Sequence, residues 1–414
     1  MYSPISKEHC EALDRDDPLA AFRNEFALPP GTIYLNGNSL GAMPKRALEI
    51  ANRTIVDEWG RDLINSWNTA DWFHLPQRLG DKLAAIIGAD PGEVVVTDST
   101  GINVFKTMSA ALALRPERSV IVMEGSNFPT DNYTVQGLVQ QLGDRHTIRF
   151  AEKDQLADAI DDDVAVVCLT DVHYKTGHIL DMQAITQKAQ ACGAITVWDL
   201  CHSAGAIPVD LNGCNADFAV GCTYKYLNGG PGSPGFIFAA KRHHGSALQP
   251  LTGWWGHASP FAFERDYRPA PGIDQMLSGT QAIVSLAMVE AGLDITARAS
   301  MNVIRDKSKK MGDMFIQLIE KHCADYGFSL VSPRDAEERA SQVALEHEQG
   351  YPIMRALIDN KVVGDFRAPN ILRFGFAPLY LRYVDVWNTV DTLQTIMHTE
   401  KWREEKYNTR LAVT

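Results

Sequence analysis

Four short runs constrain this chain most. Val164–Thr170, Ala194–Leu200, Phe218–Cys222 and Gly235–Ala239 are apolar at nearly every position, without polar alternation. A strand that reads apolar on both faces is covered on both faces. Segments with helical spacing lie before and between them, at Asn103–Leu114, Asp131–Leu142 and Met182–Cys192. Strands buried on two sides and alternating with helices specify an α/β fold with a mostly parallel sheet flanked by helices. Two earlier runs, Glu93–Thr97 and Ser119–Met123, extend that sheet.

The flanking regions differ. The stretch to about Pro30 is polar; Thr32–Leu35 reads as a short strand, followed by the turn-rich loop Asn36–Gly41. Arg46–Asn65 and Arg78–Ile87 have helical spacing, the second stopping at Gly88. Trp254–Thr280, rich in aromatics, Pro and Gly, is a long irregular excursion of the kind that tends to carry function. Helices follow over Gln281–Arg298 and Met301–Cys323. Beyond them strands (Gln342–Leu345, Ile371–Gly375) mix with helices (Pro352–Asn360, Val384–Lys401). This order predicts a large α/β domain over 51–290 and a smaller C-terminal α+β domain over 291–414, with segment 1–50 packing against the latter.

Charge narrows the function classes. Lys plus Arg is 39 and Asp plus Glu is 51, a formal charge of −12. That excess argues against a nucleic-acid or membrane-surface binder, which needs a basic face; a local basic pocket for a small anion remains compatible. The 7 cysteines contain no CxxC spacing, so neither a zinc nor a redox motif is visible and no metal is expected. No apolar run approaches the roughly 20 residues of a membrane span. Met1–Asp17 lacks the apolar stretch of a secretory signal. A reducing compartment, most simply the cytoplasm, is expected.

Among motifs, Gly230–Gly235 matches GxGxxG formally. Two prolines interrupt it and a strand follows, so no helix N-terminus is aimed at a pyrophosphate. The informative residues are Asp199 and Lys225. Asp199 ends a buried strand, at the edge where open α/β sheets bind ligands. Lys225 follows Phe218–Cys222, lies between Tyr224 and Tyr226, and precedes a glycine-rich loop. An acid and a lysine at neighbouring strand ends suit pyridoxal phosphate. The lysine forms the Schiff base, and the acid keeps the pyridine nitrogen protonated so that the ring is an electron sink. A strand-end Asp also caps helices, and a loop Lys is often a solvated charge; the pair alone leaves those readings open. Asp98–Gly101 lies between a strand and a helix, where the hydroxyls of Ser99 and Thr100 fit a phosphate or a plain N-cap. Phe128, in Asn127–Asp131, fits ring stacking or simple core packing. His243-His244 reads as a solvated turn, and Cys201 as a small buried thiol.

Six segments together resemble one family. They are Tyr34-Leu-Asn-Gly-Asn-Ser-Leu-Gly41, Asn127-Phe-Pro-Thr-Asp131, Trp198-Asp-Leu-Cys-His-Ser-Ala-Gly205, Gly221-Cys-Thr-Tyr-Lys-Tyr-Leu-Asn-Gly-Gly-Pro-Gly232, Leu251-Thr-Gly-Trp-Trp-Gly-His257 and Ile371-Leu-Arg-Phe-Gly-Phe376. The likeness spans essentially the whole chain and is to the kynureninase family, pyridoxal-phosphate enzymes of fold type I within the class-V aminotransferase group. The Asp and Lys elements are shared across that group; the Gly-Asn-Ser-Leu-Gly, Phe-Pro-Thr-Asp and Gly-Trp-Trp-Gly-His segments are more specific.

The resemblance implies hydrolysis of the Cβ–Cγ bond of L-kynurenine or its 3-hydroxy form, giving anthranilate or 3-hydroxyanthranilate and L-alanine, within tryptophan catabolism and the kynurenine route to NAD. It implies Lys225 as the lysine that carries pyridoxal 5′-phosphate, with Tyr224 as a proton relay. Asp199 takes the pyridine nitrogen. Phe128 stacks on the ring, with Asp131, Thr170 and His202 nearby, while Ser99, Thr100 and Tyr224 hold the phosphate side. Trp254 and Thr280 reach the phosphate of the neighbouring subunit of a homodimer with shared sites. Arg373 grips the substrate α-carboxylate, for which a planar guanidinium is suited, or else forms a structural ion pair. Trp67 and Asn38 line the substrate pocket. The alternatives are another class-V enzyme, an aminotransferase or a cysteine desulfurase, and a catalytically silent protein of the same fold. A desulfurase needs a mobile, exposed cysteine late in the chain, and only Cys323 lies beyond position 222, within a helical pattern.

Overall fold

The structure is a computed structural model that describes residues 5–143 and 145–411. The outer ends of the expected terminal segments, 1–4 and 412–414, and position 144 lie outside the described residues. The chain divides into two compact units. One takes the chain up to Lys45, the short segment His173–Ile179, and everything from Arg298 onward; the other takes Arg46–Val172 and Leu180–Ala297.

The first strand, β1 (Ile33–Tyr34), belongs to the first unit. The next seven are β2 (Val94–Val96), β3 (Val120–Glu124), β4 (Thr147–Ala151), β5 (Val164–Thr170), β6 (Ile195–Asp199), β7 (Phe218–Cys222) and β8 (Gly235–Ala239). They form the sheet of the second unit in the order β2-β8-β7-β6-β5-β3-β4. Strands β3 to β7 pair in parallel. β8 runs antiparallel to β7, and β2 antiparallel to β8. Every residue of β5, β6, β7 and β8 is buried, as their unbroken apolar runs require. β4 carries no sequence expectation. It is an edge strand whose Thr147 and Phe150 face solvent, so its pattern lacks the continuous apolar signature.

Local rules account for helix ends. Pro129 occupies the first turn of the helix Pro129–Leu142, where its missing N–H costs nothing. Gly88 has φ +64 after the helix Leu75–Ala84 and the turn that extends it. The continuous helix expected over Arg46–Asn65 differs in the structure. It is α-helical over Lys45–Asn52, widens to i→i+5 bonding over Arg53–Asp62, and ends where Leu63 adopts φ +54. Tertiary anchors hold this segment. Ser66 donates to the Glu58 carbonyl, and the Glu58 carboxylate accepts from Arg53 Nε at 3.0 Å and Trp72 Nε1 at 2.8 Å. Trp254–Thr280 is irregular, with short 3-10 turns at Trp254–Gly256 and Gly272–Met276.

The first unit holds β9 (Ser329–Leu330), β10 (Gln342–Glu346), β11 (Val362–Val363), β12 (Asp365–Arg367) and β13 (Ile371–Gly375). Four of them make an antiparallel sheet in the order β12-β13-β10-β9, while β11 pairs in parallel with β1. The N-terminal helix Lys7–Arg15 meets the helix Tyr383–His398, and Asp14 accepts the backbone N–H groups of Tyr383 at 2.6 Å and Val384 at 3.1 Å. A side chain from the chain's start thus satisfies orphan donors at the head of one of its last helices.

Candidate active site

Parallel strands end at a common edge, and here that edge is acidic. Register pairs Thr170, the last residue of β5, with Asp199, the last of β6. Asp131, in the first turn of the helix Pro129–Leu142, is buried beside them. Asn127 joins the group: its Nδ2 donates to Asp131 Oδ2 at 3.1 Å, and its Oδ1 accepts from Thr170 Oγ1 at 2.6 Å and from the Phe128 N–H at 2.6 Å. Asp199 Oδ1 accepts the Cys201 N–H at 2.7 Å. Burial, followed by the Asp199 charge, pushes the Asp131 carboxyl well above the usual range, and the two acids share a hydrogen bond. That rise favours the protonated form of Asp131 beside Asp199.

Lys225 follows β7 at the same edge, close enough for its charge to oppose the rise at Asp131. Its Nζ donates to His202 Nε2 at 2.9 Å, and its ammonium lies 5.9 Å from the centre of the Tyr224 ring. His202 is buried, Lys225 and Tyr224 half-buried. Burial and the nearby Cys222 push the Tyr224 phenol up, so it stays protonated and keeps a proton to donate. Phe128 is 43% exposed, which core packing does not explain.

Beside this cluster, the helix Thr100–Ala113 begins at Ser99, whose side chain makes no capping bond and is exposed. Thr100 Oγ1 lies 3.7 Å from Cys201 Sγ. The backbone before Ser99 is strained: Asp98 has φ +44. A fully buried lysine, Lys106, holds it, donating to Asp98 Oδ2 at 2.6 Å and to the Met276 carbonyl at 2.8 Å. Gly235 adjoins this turn: a Cβ there would lie 2.6 Å from the Gly221 carbonyl and 3.3 Å from the Thr100 nitrogen.

Trp67, Trp254 and Thr280 stand apart, and among the described residues no hydrogen bond or ring contact joins them to the Lys225 cluster. Trp67 packs edge-on against Trp255 at 5.2 Å and Trp254 at 6.0 Å. Trp254 is 36% exposed, and Thr280 is exposed. The neighbour of Thr280, Gln281, accepts from Thr97 Oγ1 at 3.1 Å and from the Asp98 N–H at 3.3 Å.

Arg373 and Asn38 lie in the first unit. Arg373 is buried and forks onto Asp365, with Nε 2.8 Å from Oδ1 and Nη2 2.5 Å from Oδ2. Nη2 also reaches Ser39 Oγ at 2.9 Å, and Nη1 donates to the Tyr174 carbonyl. Asn38 is fully buried; its Nδ2 donates to Gln342 Oε1 at 3.3 Å, and its Oδ1 has no partner. Gly375 leaves that amide its room, since a Cβ there would sit 2.3 Å from Asn38 Oδ1.

Sequence reasoning passed over Asn127 as a linking group, and over Lys106, Ser39 and Asp365. The signal for Asp365 was available, as a charge alternating with apolar residues in a strand opposite Arg373. The expected solvated turn at His243-His244 is corrected: His243 Nε2 lies 2.7 Å from buried Asp217 Oδ1, and its ring stacks on Phe218. The buried aspartate draws the ring inward. Cys201 is buried, and a hydrogen bond with Cys222 together with burial raises its thiol, so it is no nucleophile.

Comparisons with known proteins bear on the family and the fold. The family described as "Kynureninase C-terminal domain" matches residues 304–393. A protein named kynureninase from Burkholderia pseudomallei (strain 1106a) is 54% identical over 414 residues, covering 99% of this chain and all of that one. One of the same name from Pseudomonas fluorescens is 51% identical with the same coverage. Among solved structures, the apo cysteine desulfurase from Thermococcus onnurineus NA1 superposes with a TM-score of 0.77 at 18% identity, covering 92% of this chain and 98% of that one. A C-DES mutant with glycine covalently linked to its PLP cofactor has a TM-score of 0.77 at 16% identity, covering 90% and 98%. At such identities these structures speak for the fold, that of fold-type-I enzymes.

Proposed function

The chain belongs to the kynureninase family, and from that membership we propose that it hydrolyses the Cβ–Cγ bond of L-kynurenine, or of its 3-hydroxy form, to the matching anthranilate and L-alanine, with pyridoxal 5′-phosphate as cofactor. The observation that carries the cofactor reading is the buried pair Asp131 and Asp199 with Lys225 at the same sheet edge. With Asp131 favouring its protonated form, Asp199 is the acid that would hold a protonated pyridine nitrogen. Phe128, 43% exposed at this edge, would stack on the cofactor ring. Ser99, Thr100 and Tyr224 would offer hydroxyls on the phosphate side, next to Gly235, where a Cβ would come within 3.3 Å of the Thr100 nitrogen. Thr170 and Asn127 hold Asp131 in place.

When bound, the cofactor supplies an electron sink for the carbanion at the substrate's α-carbon. The chain's residues do the rest. Lys225 Nζ would hold the cofactor, and as a free amine it would take up the substrate's α-proton. His202 Nε2, at 2.9 Å, stands to hold or pass the proton that Nζ takes up. Tyr224, kept protonated by burial, donates through its hydroxyl as the carbon–carbon bond breaks. Arg373 takes the α-carboxylate, and Trp67 and Asn38 border the substrate. Water adds to the γ-carbonyl, so one water is consumed for each anthranilate and alanine formed.

A desulfurase is not favoured. Cys323 is buried at a helix end, and burial pushes its thiol up to about 12, which leaves no exposed thiolate. The homodimer belongs to the proposal: Trp254 and Thr280, exposed on the single chain, reach the partner's cofactor phosphate. So does a cytoplasmic location, in keeping with seven unpaired cysteines; no helix among the described residues is long and apolar enough to cross a membrane. The test is one assay on the cofactor-loaded protein. Anthranilate fluorescence and alanine appear in equal amounts from L-kynurenine, and Lys225→Ala abolishes both. A yellow protein that releases no anthranilate overturns the reaction and keeps the cofactor.

A further inference from the structure

We infer that Arg367 is a second carboxylate-binding residue, working beside Arg373; the inference rests on the reading that the substrate is an α-amino acid. Strand periodicity places Asp365 and Arg367 on one face of β12, and register sets Asp365 opposite Arg373 of β13. Asp365 is buried, and both arginines converge on its Oδ2, Arg373 Nη2 at 2.5 Å and Arg367 Nη2 at 2.9 Å. Ser39 Oγ donates to the same oxygen at 2.6 Å and accepts from both arginines, at 2.9 Å from Arg373 and 3.2 Å from Arg367.

Charge decides what is missing. Two guanidinium groups meet one carboxylate, so one positive charge is left over in a largely buried cluster. One more carboxylate makes it neutral. Donor counting decides which arginine greets it. A guanidinium has five N–H donors. Arg373 commits Nε, both hydrogens of Nη2 and one of Nη1 to Asp365, Ser39 and the Tyr174 carbonyl, and is 1% exposed. Arg367 is 36% exposed along its side chain and is held through Nη2 alone among the described residues. Its Nε is buried with no hydrogen-bond partner. A buried donor without an acceptor is costly, and a ligand oxygen relieves that cost. Arg373 therefore works as the rigid, Asp365-clamped half of the pair, and Arg367 as the half with donors to spare.

The test compares L-alanine with L-alaninamide, which lacks the carboxylate, as ligands of the cofactor-loaded enzyme by calorimetry, alongside steady-state cleavage of L-kynurenine. Arg367→Gln raises the L-alanine Kd and the L-kynurenine KM by roughly 10- to 100-fold, the loss of a charge-assisted bond. It leaves kcat within about threefold and L-alaninamide affinity unchanged, since uniform binding is what is removed. Arg367→Lys, which keeps the charge but not the fork, falls between and guards against a folding defect in the glutamine variant. Equal weakening of both ligands, or none of either, overturns the inference and makes Arg367 a structural prop for Asp365. A parent enzyme that binds L-alanine in a carboxylate-dependent way yet does not cleave kynurenine overturns the reaction reading instead and leaves Arg367 in place.

Discussion

Three aspartates, Asp131, Asp171 and Asp199, crowd one sheet edge, and a lone carboxylate there is costly. Asp171 follows β5, its N–H donating to the Asp199 carbonyl at 3.0 Å. Burial pushes its carboxyl up to about 7, against the pull of Ser203 and with the help of Asp199. In the unfolded chain it titrates near 4. Between those values the folded protein keeps a proton that the unfolded chain has released, so this group's contribution to stability falls as pH rises from about 4 to about 7. Asp171→Asn removes that dependence. Urea unfolding at pH 4.5 and pH 8 should show the variant gaining on its parent at the higher pH, by at most roughly 4 kcal/mol at 1.36 kcal/mol per unit. A gap of equal size at both pH values removes Asp171 as the titrating group. At this scale residue identities were legible and partnerships were not. Asp199 and Lys225 stand out from the sequence as strand-end groups; that Asp199 meets Asp131 in a hydrogen bond follows from side chains separated in sequence and joined by the sheet.

At the scale of elements, close approach matters more than propensity. The helix Ile283–Arg298 comes within backbone contact of the loop just past Lys225: a Cβ on Gly292 would lie 2.0 Å from the Leu227 carbonyl oxygen and 2.9 Å from that of Asn228. Gly292→Ala must push helix and loop apart, at a cost of about 1–3 kcal/mol for overpacking. Lowered melting temperature together with weaker cofactor retention on dialysis is the expected outcome; full retention would mean that the loop relaxes without moving Lys225. Elements with one strong period are read well from sequence: β5, β7 and β8 run over the residues their apolar runs mark. Elements held by partners are not, as edge strand β4 and the widened helix Arg53–Asp62 both illustrate.

At the scale of the molecule, the second unit leaves large apolar side chains in solvent. Val56 is 63% exposed, Trp59 58%, Leu63 60% and Ile64 75%, along one stretch of chain. Monomers rarely tolerate contiguous patches of this kind. Light scattering should give twice the 45.8 kDa chain mass, and Trp59→Glu with Ile64→Glu should shift it toward one. A monomeric parent would sink the shared-site reading of Trp254 and Thr280. The sequence by itself determined the α/β class, the strand-end acid and lysine, and the family, because burial on both faces and short motifs are written in neighbouring residues. Only the tertiary structure decided that Arg373 is clamped by Asp365, that Arg367 retains donors, and that Asp131 answers Asp199. Those facts depend on which strands lie side by side and in what register, and long-range pairing leaves no local periodicity from which to read it.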